Sequence, residues 1–161
     1  MRVGLGFDVH RFQEGRPLVL AGVAIPSPIG LLGHSDADVI LHALMDALLG
    51  ALALGDIGDH FPDTDEQYRG ISSVQLLSRV MDLITARDYV VSNVDVMVMA
   101  EAPKLSPYKK EMIQKMAQTL QVSDDQVSLK ATTMEGMGFV GRREGIAAQA
   151  MVSLVRCTEN V

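Results

Sequence analysis

The chain has a single cysteine, Cys157, among its 161 residues. One thiol excludes an intrachain disulfide and fits a reducing compartment. Basic residues are few: 14 Lys and Arg stand against 20 Asp and Glu, a net charge of -6 at pH 7. That balance gives no global attraction for nucleic acid or an anionic membrane. A polyphosphate ligand would have to rely on metal ions, local Lys or Arg and backbone N–H groups. The opening residues, MRVGLGFDVH, contain no signal-peptide hydrophobic region. The longest apolar run, Val39 to Leu54, is interrupted by His42 and Asp46 and is short for a membrane span. No internal repeat or low-complexity tract occurs. A cytoplasmic protein of one domain over residues 1–157 is expected, with a frayed tail over 158–161. The 48% hydrophobic content and the length suffice for a substantial core.

What the chain does have is HSDADVILHALMDALLGALALGDIGDHFPDTD, His34 to Asp65. Its middle predicts a buried helix over about Asp36–Leu54, stopped by Gly55. Asp38, His42 and Asp46 recur at i, i+4 and i+8, on one helical face. Acids and an imidazole on a helix that otherwise wants burial are unfavourable unless paired or bound to something. Imidazole and carboxylate are both good ligands for zinc. Alone, His42 would more often be a hydrogen-bonded core residue, and Ser35 or Asp36 a helix cap. Asp46 is equally read as a hydrogen-bond acceptor that orients the His42 ring or as a solvated helix-face acid.

The N-terminal segment adds to this. Arg2 to His10 alternates as a strand, with Val3, Leu5, Phe7 and Val9 on one face and Asp8 and His10 on the other. Same-face neighbours lie ~7 Å apart, close enough to lean in on one ion. With His42 they make three ligands of the right type, and a catalytic zinc site needs three plus an open fourth position. Gly4 and Gly6 leave space on the Asp8 face.

Further along, Leu18 to Ile25 reads as a strand paired with its neighbour across a Gly-Arg-Pro turn. Gly30 to Ser35 reads as a loop, and GDIGDHFPDTD as an irregular acidic lip with Asp56 open to sugar hydroxyls. Helices are predicted over Ser72–Arg87 and about Pro107–Leu120. Strands are predicted over Asn93–Met99, Gln126–Thr132 and Ile146–Val155. AEAPKLSP is a rigid loop with Lys104 as its early cation. TTMEGMGFVGRREG offers hydroxyls and backbone N–H groups for phosphate, and Glu135 for a hard cation such as magnesium. The last strand is apolar on both faces, which implies cover on both. With helices on one face, a second subunit is expected on the other.

Together, GFDVH, the His34–Asp65 stretch and KATTMEGMGFVGRREGIA resemble the 2-C-methyl-D-erythritol 2,4-cyclodiphosphate synthase family from the first residue to about Val155. Ala37 and Met134 depart from the family pattern, and neither position supplies a metal ligand. The resemblance implies an α/β (α+β) subunit whose mixed four-stranded sheet carries helices on one face. Three subunits would assemble as a homotrimer with the sheets facing the three-fold axis and active sites between neighbours. It implies closure of 4-diphosphocytidyl-2-C-methyl-D-erythritol 2-phosphate into the cyclic diphosphate with release of CMP. Zinc, one per subunit, would sit on Asp8, His10 and His42, beside Val9. Magnesium or manganese would sit on Glu135 with the diphosphate. His34 and Thr133 would be catalytic, with His34 and Ser35 at the methylerythritol phosphate. Asp56, Ile57 and Gly58 would hold the sugar, and Phe61, Pro62, Asp63, Thr64 and Asp65 would line the adjoining loop. Ala100, Pro103, Lys104, Leu105 and Ser106 would form the neighbour's cytosine pocket. Thr132, Thr133 and Met134 would grip the diphosphate, with Phe139 and Arg142 nearby. The cavity on the axis, lined by Phe7, Arg142 and Glu144, would be open to an isoprenoid diphosphate.

Two other readings fit the same residues. A metal-dependent phosphohydrolase would use the Asp/His set to activate water. A non-catalytic trimer would bind nucleotides or isoprenoid phosphates without turnover.

Overall fold

The computed structural model describes residues 1–157, so the tail expected to fray, 158–161, lies outside it. The central helix α1, Val39–Ala51, is almost entirely buried: 11 of its 13 residues are closed to solvent. Asp38 caps it, accepting from the Leu41 N–H at 3.1 Å. Leu41, Leu44 and Leu48 are at most 1% exposed, and each such burial is worth about 1.5–3 kcal/mol.

Under α1 runs a mixed sheet of strands β1 (Arg2–Glu14), β4 (Ile29–Leu31), β5 (Tyr89–Met99), β6 (Val127–Thr132) and β7 (Gly145–Arg156), in the order β4-β1-β7-β5-β6. Only β5 and β6 are parallel. The crossover that a parallel pair requires carries helix α4, Lys109–Leu120. Helix α3, Ser73–Thr85, packs beside α1 and is capped by Ser72.

The sheet has five strands rather than the expected four. The extra strand, β4, lies where a loop was expected and pairs with Phe12–Glu14, because β1 continues past His10. The expected strand over Leu18–Ile25 is instead a separate hairpin, β2 (Leu18–Leu20) with β3 (Val23–Ile25). It turns at Ala21 and Gly22, both at positive φ. The fully buried Asp38 carboxylate accepts from both turn N–H groups, at 2.9 and 2.6 Å. Burial raises the Asp38 pKa to about 6.

Helices cover one sheet face. The other leaves a row of apolar side chains open on β1: Val3 at 56%, Leu5 at 57%, Phe7 at 54% and Val9 at 44% exposure. Among the described residues no helix is long and apolar enough to cross a membrane.

Candidate metal centre and substrate clefts

Strand alternation turns Asp8 and His10 of β1 toward α1, and His42 meets them from the first turns of that helix. Asp8 Oδ2 lies 3.0 Å from His10 Nε2 and 3.1 Å from His42 Nδ1. The two ring nitrogens are 3.0 Å apart. Ligand atoms of a tetrahedral zinc with bonds of ~2.0–2.1 Å are separated by roughly 3.3 Å. The three atoms therefore form a triangle of nearly the size that one ion fills from just outside its plane.

The rings are oriented for it. His10 Nδ1–H donates to the Leu32 carbonyl at 2.6 Å, which leaves Nε2 free. His42 Nε2 lies 3.1 Å from Ser35 Oγ and 3.0 Å from Ser73 Oγ, which leaves Nδ1 free. Burial alone would raise the Asp8 pKa, but hydrogen bonds and positive charge from His10 and His42 hold it well below the usual carboxylate range. Burial alone would lower the His10 pKa, yet the bond to Asp8 and its charge carry it above the ordinary value. Two imidazoles, one carboxylate and an open side suit zinc.

The triad opens on a cleft of about 590 Å³. His34, Ser35, Ile57, Gly58, Phe61, Pro62, Asp63 and Thr64 line it, as do Tyr68 and Leu76. The expected acidic lip is in part helical: α2, Ile57–His60, is capped by Asp56, which accepts from the Gly58 and Asp59 N–H groups at 2.9 and 3.2 Å. Asp56 does not line the cleft. Asp65 caps a following turn through the Gln67 N–H, and its carbonyl accepts from His34 Nε2 at 3.1 Å. Val9 points to the open sheet face. Asp46 is not bonded to His42. Its carboxylate accepts the Ile57 N–H at 2.9 Å, tying α2 to α1.

A second cleft of about 460 Å³ is lined by Ala100, Pro103, Lys104, Leu105, Ser106, Thr132 and Thr133, with Glu101 and Lys109. Glu101 accepts the Met134 N–H at 2.7 Å, joining this cleft to the loop after β6. Glu135, exposed and at positive φ, accepts from Thr133 Oγ1 at 2.7 Å. Phe139 is exposed, and Arg142 pairs with Glu144 at 2.7 Å. Met134, Glu135, Phe139 and Arg142 line neither cleft, and the two clefts share no residue.

Arg16 and Ser73 carry no mark in the sequence. Arg16 sits in a turn, and its guanidinium reaches 17 and 19 residues ahead to the Gly33 and Ser35 carbonyls, at 2.9 and 2.6 Å. Ser73 follows the capping Ser72 and looks interchangeable with it; only its complete burial distinguishes it.

The YgbB family matches residues 1–155. A 2-C-methyl-D-erythritol 2,4-cyclodiphosphate synthase of Agathobacter rectalis is 62% identical over 154 residues, 96% of this chain and 87% of that protein. The bifunctional IspDF from Campylobacter jejuni has a TM-score of 0.93 at 45% identity over 96% of this chain, which spans only 42% of that longer one. A CDP-bound 2C-methyl-D-erythritol-2,4-cyclodiphosphate synthase has a TM-score of 0.88 at 41% identity, over 96% of this chain and all of that one.

Proposed function

The chain belongs to the YgbB family, the 2-C-methyl-D-erythritol 2,4-cyclodiphosphate synthases of the non-mevalonate isoprenoid pathway, and from that premise we propose how its residues share the work. The reaction closes 4-diphosphocytidyl-2-C-methyl-D-erythritol 2-phosphate on itself. An oxygen of the 2-phosphate bonds to the β-phosphorus, the β–α bridge breaks, and CMP leaves with the bridging oxygen. The nucleophile is already anionic, so no strong base is required, and what must be supplied is position and charge neutralisation.

Asp8, His10 and His42 hold zinc, and Glu135 with the substrate diphosphate holds magnesium or manganese. When bound there, such cations would offset the repulsion between the phosphates. His34 and Ser35 receive the methylerythritol phosphate beside the triad. Ile57, Gly58 and the Phe61–Asp65 loop enclose the sugar, with Asp56 holding the α2 turn in place. Ala100 and Pro103 to Ser106 take the cytosine, and Thr132 and Thr133 bind the diphosphate oxygens. A relative solved in a CDP-bound form supports binding of a cytidine nucleotide.

The carrying observation is the convergence of three ligand atoms, 3.0–3.1 Å apart, on an open cleft. The separation of the two clefts favours a site completed by a neighbouring subunit. So does the uncovered apolar row on β1. A head-to-tail contact that closes makes a ring, and the ring proposed here is a homotrimer with the sheets toward its axis. Incubation with the cytidyl substrate, zinc and magnesium, followed by phosphorus NMR, tests the reading. Cyclic diphosphate and CMP are expected. A linear phosphate would identify a phosphohydrolase, and binding without turnover a nucleotide-binding protein.

A further inference from the structure

Behind His42, on the side away from the metal triangle, lies a chain of polar groups that the ring closure does not use. Ser73 Oγ, at the first position of α3 and 0% exposed, stands 3.0 Å from His42 Nε2 and 2.5 Å from Asp36 Oδ1. Asp36 Oδ2 accepts the Ser73 N–H at 2.9 Å, and Asp36 Oδ1 also faces the Asp38 N–H at 3.3 Å. The carboxylate is thereby anchored to the start of both α1 and α3.

The protons can be assigned from these contacts. A carboxylate only accepts, so the single Ser73 hydroxyl proton goes to Asp36. Toward His42 the same oxygen then has only lone pairs to offer. His42 Nε2 must carry hydrogen, and Nδ1 must present its lone pair to the point shared with Asp8 and His10. Ser35 Oγ, at 3.1 Å, offers a second acceptor to the same N–H while itself accepting the Ala37 N–H at 3.2 Å.

We infer that Ser73 and Asp36 form a positioning relay that locks the Nε2–H form of His42 and, through the Asp36 charge, makes Nδ1 a stronger metal ligand. The inference rests on Asp8, His10 and His42 being the metal site. The two imidazoles are then held by different means. His10 leans on a neutral carbonyl, whereas His42 is backed by a full negative charge two hydrogen bonds away. Partners of this kind commonly set metal affinity by about 10–100-fold. Neither Ser73 nor Asp36 lines either cleft.

The test uses the full-length protein, stripped with a chelator and titrated with zinc. If the wild type does not bind zinc, the metal assignment itself falls. If it does, Ser73→Ala is expected to weaken zinc by about 10–100-fold, in a metal-free variant that circular dichroism shows to be folded. In the zinc-loaded variant the His42 Nε2 proton should exchange faster with solvent, as read in imidazole proton–nitrogen spectra. Ser73→Thr keeps the hydroxyl and should restore affinity to within about threefold. Asp36→Asn keeps an acceptor oxygen but loses the charge. It should weaken binding by a smaller factor with the proton still on Nε2, and it decides the question if Ser73→Ala does not fold. Wild-type affinity in both Ser73→Ala and Asp36→Asn overturns the relay, as does a zinc-loaded His42 protonated on Nδ1.

Discussion

Gly6 and Ala43 touch backbone to backbone: a Cβ on Gly6 would lie 1.9 Å from the Ala43 carbonyl oxygen. Gly4 repeats the contact one turn along, against the Ala47 carbonyl. Helix α1 therefore lies directly on β1. Asp8 is two residues from Gly6, and His42 is the neighbour of Ala43, so the same contact sets the ligand triangle. Gly6→Ala is expected to destabilise the fold by about 3 kcal/mol or more, since the clash is with main chain and no rotamer relieves it. Any protein that still folds should have lost zinc affinity. Gly50, also on α1 but with open space around its Cβ position, is the control. Gly50→Ala should be neutral or stabilising by up to about 1 kcal/mol. Denaturant unfolding and zinc analysis of the two variants check both.

Zinc retention should depend on pH with a definite sign. His10 in the metal-free protein titrates above the ordinary histidine value of 6.5, against the pull of burial, because Asp8 stabilises its cation. A metal ligand must be neutral, so protons compete with zinc below that raised value. Affinity should fall as pH drops through it, starting on the alkaline side of 6.5. Asp8→Asn removes the anion that raises His10, so the fall should begin at lower pH on top of a weaker overall affinity. Competition titrations with a chromogenic chelator across the neutral and acid range measure both curves.

The ligands were legible in the sequence because each obeys a local period: two for Asp8 and His10, 3.6 for the helix that carries His42. The buried interior of α1 follows from the same patterns, but its cap does not: the sequence offers Ser35 and Asp36 as candidates, and Asp38 accepts the Leu41 N–H. What was not legible depends on partners far along the chain. Strand β4 is three residues long and pairs with the far end of β1, beyond the alternation that marks that strand. The hairpin turn at Ala21 is held by Asp38, 17 residues away, and alanine carries no turn signal. Asp46 shares the His42 face by spacing, yet its carboxylate is taken by the Ile57 N–H. Periodicity gives the face of a side chain and not the donor waiting there.

Arg16 brackets His34 by holding the carbonyls on either side of it, at Gly33 and Ser35. A planar fork is needed to reach both, which lysine lacks. Hydrogen bonds from a charged donor contribute about 1.5–3 kcal/mol. Arg16→Met and Arg16→Lys are therefore both expected to lower kcat/KM by about tenfold or more, with zinc still bound, because His10 and His42 keep their own orienting partners. Steady-state kinetics alongside metal analysis reads this. A lysine variant with wild-type kinetics would reduce Arg16 to a charge on the surface of the loop.

The exposed row on β1 should carry assembly. Leu5 and Phe7 are 57% and 54% exposed at the centre of the uncovered face, and neither contributes to either cleft. Placing an unpaired charge in such a contact is strongly unfavourable. Leu5→Glu is expected to yield monomers by light scattering, folded by circular dichroism and still able to bind zinc, but inactive. Activity in a monomer would put the whole reaction within one chain.

Mixing experiments separate the two arrangements most directly. His42→Ala disables the metal cleft, while the double variant Lys104→Ala/Thr133→Ala disables the second cleft and leaves the metal triad intact. Each parent should be inactive alone. If co-expressed chains assemble at random into the proposed ring, each working site needs an intact metal cleft from one subunit and an intact second cleft from its neighbour. Each condition is met half the time, so about a quarter of the contacts should be whole. Activity near about a quarter of wild type is then expected from two inactive proteins. If each chain held both halves of its own site, every site in the mixture would carry one lesion and no activity would return.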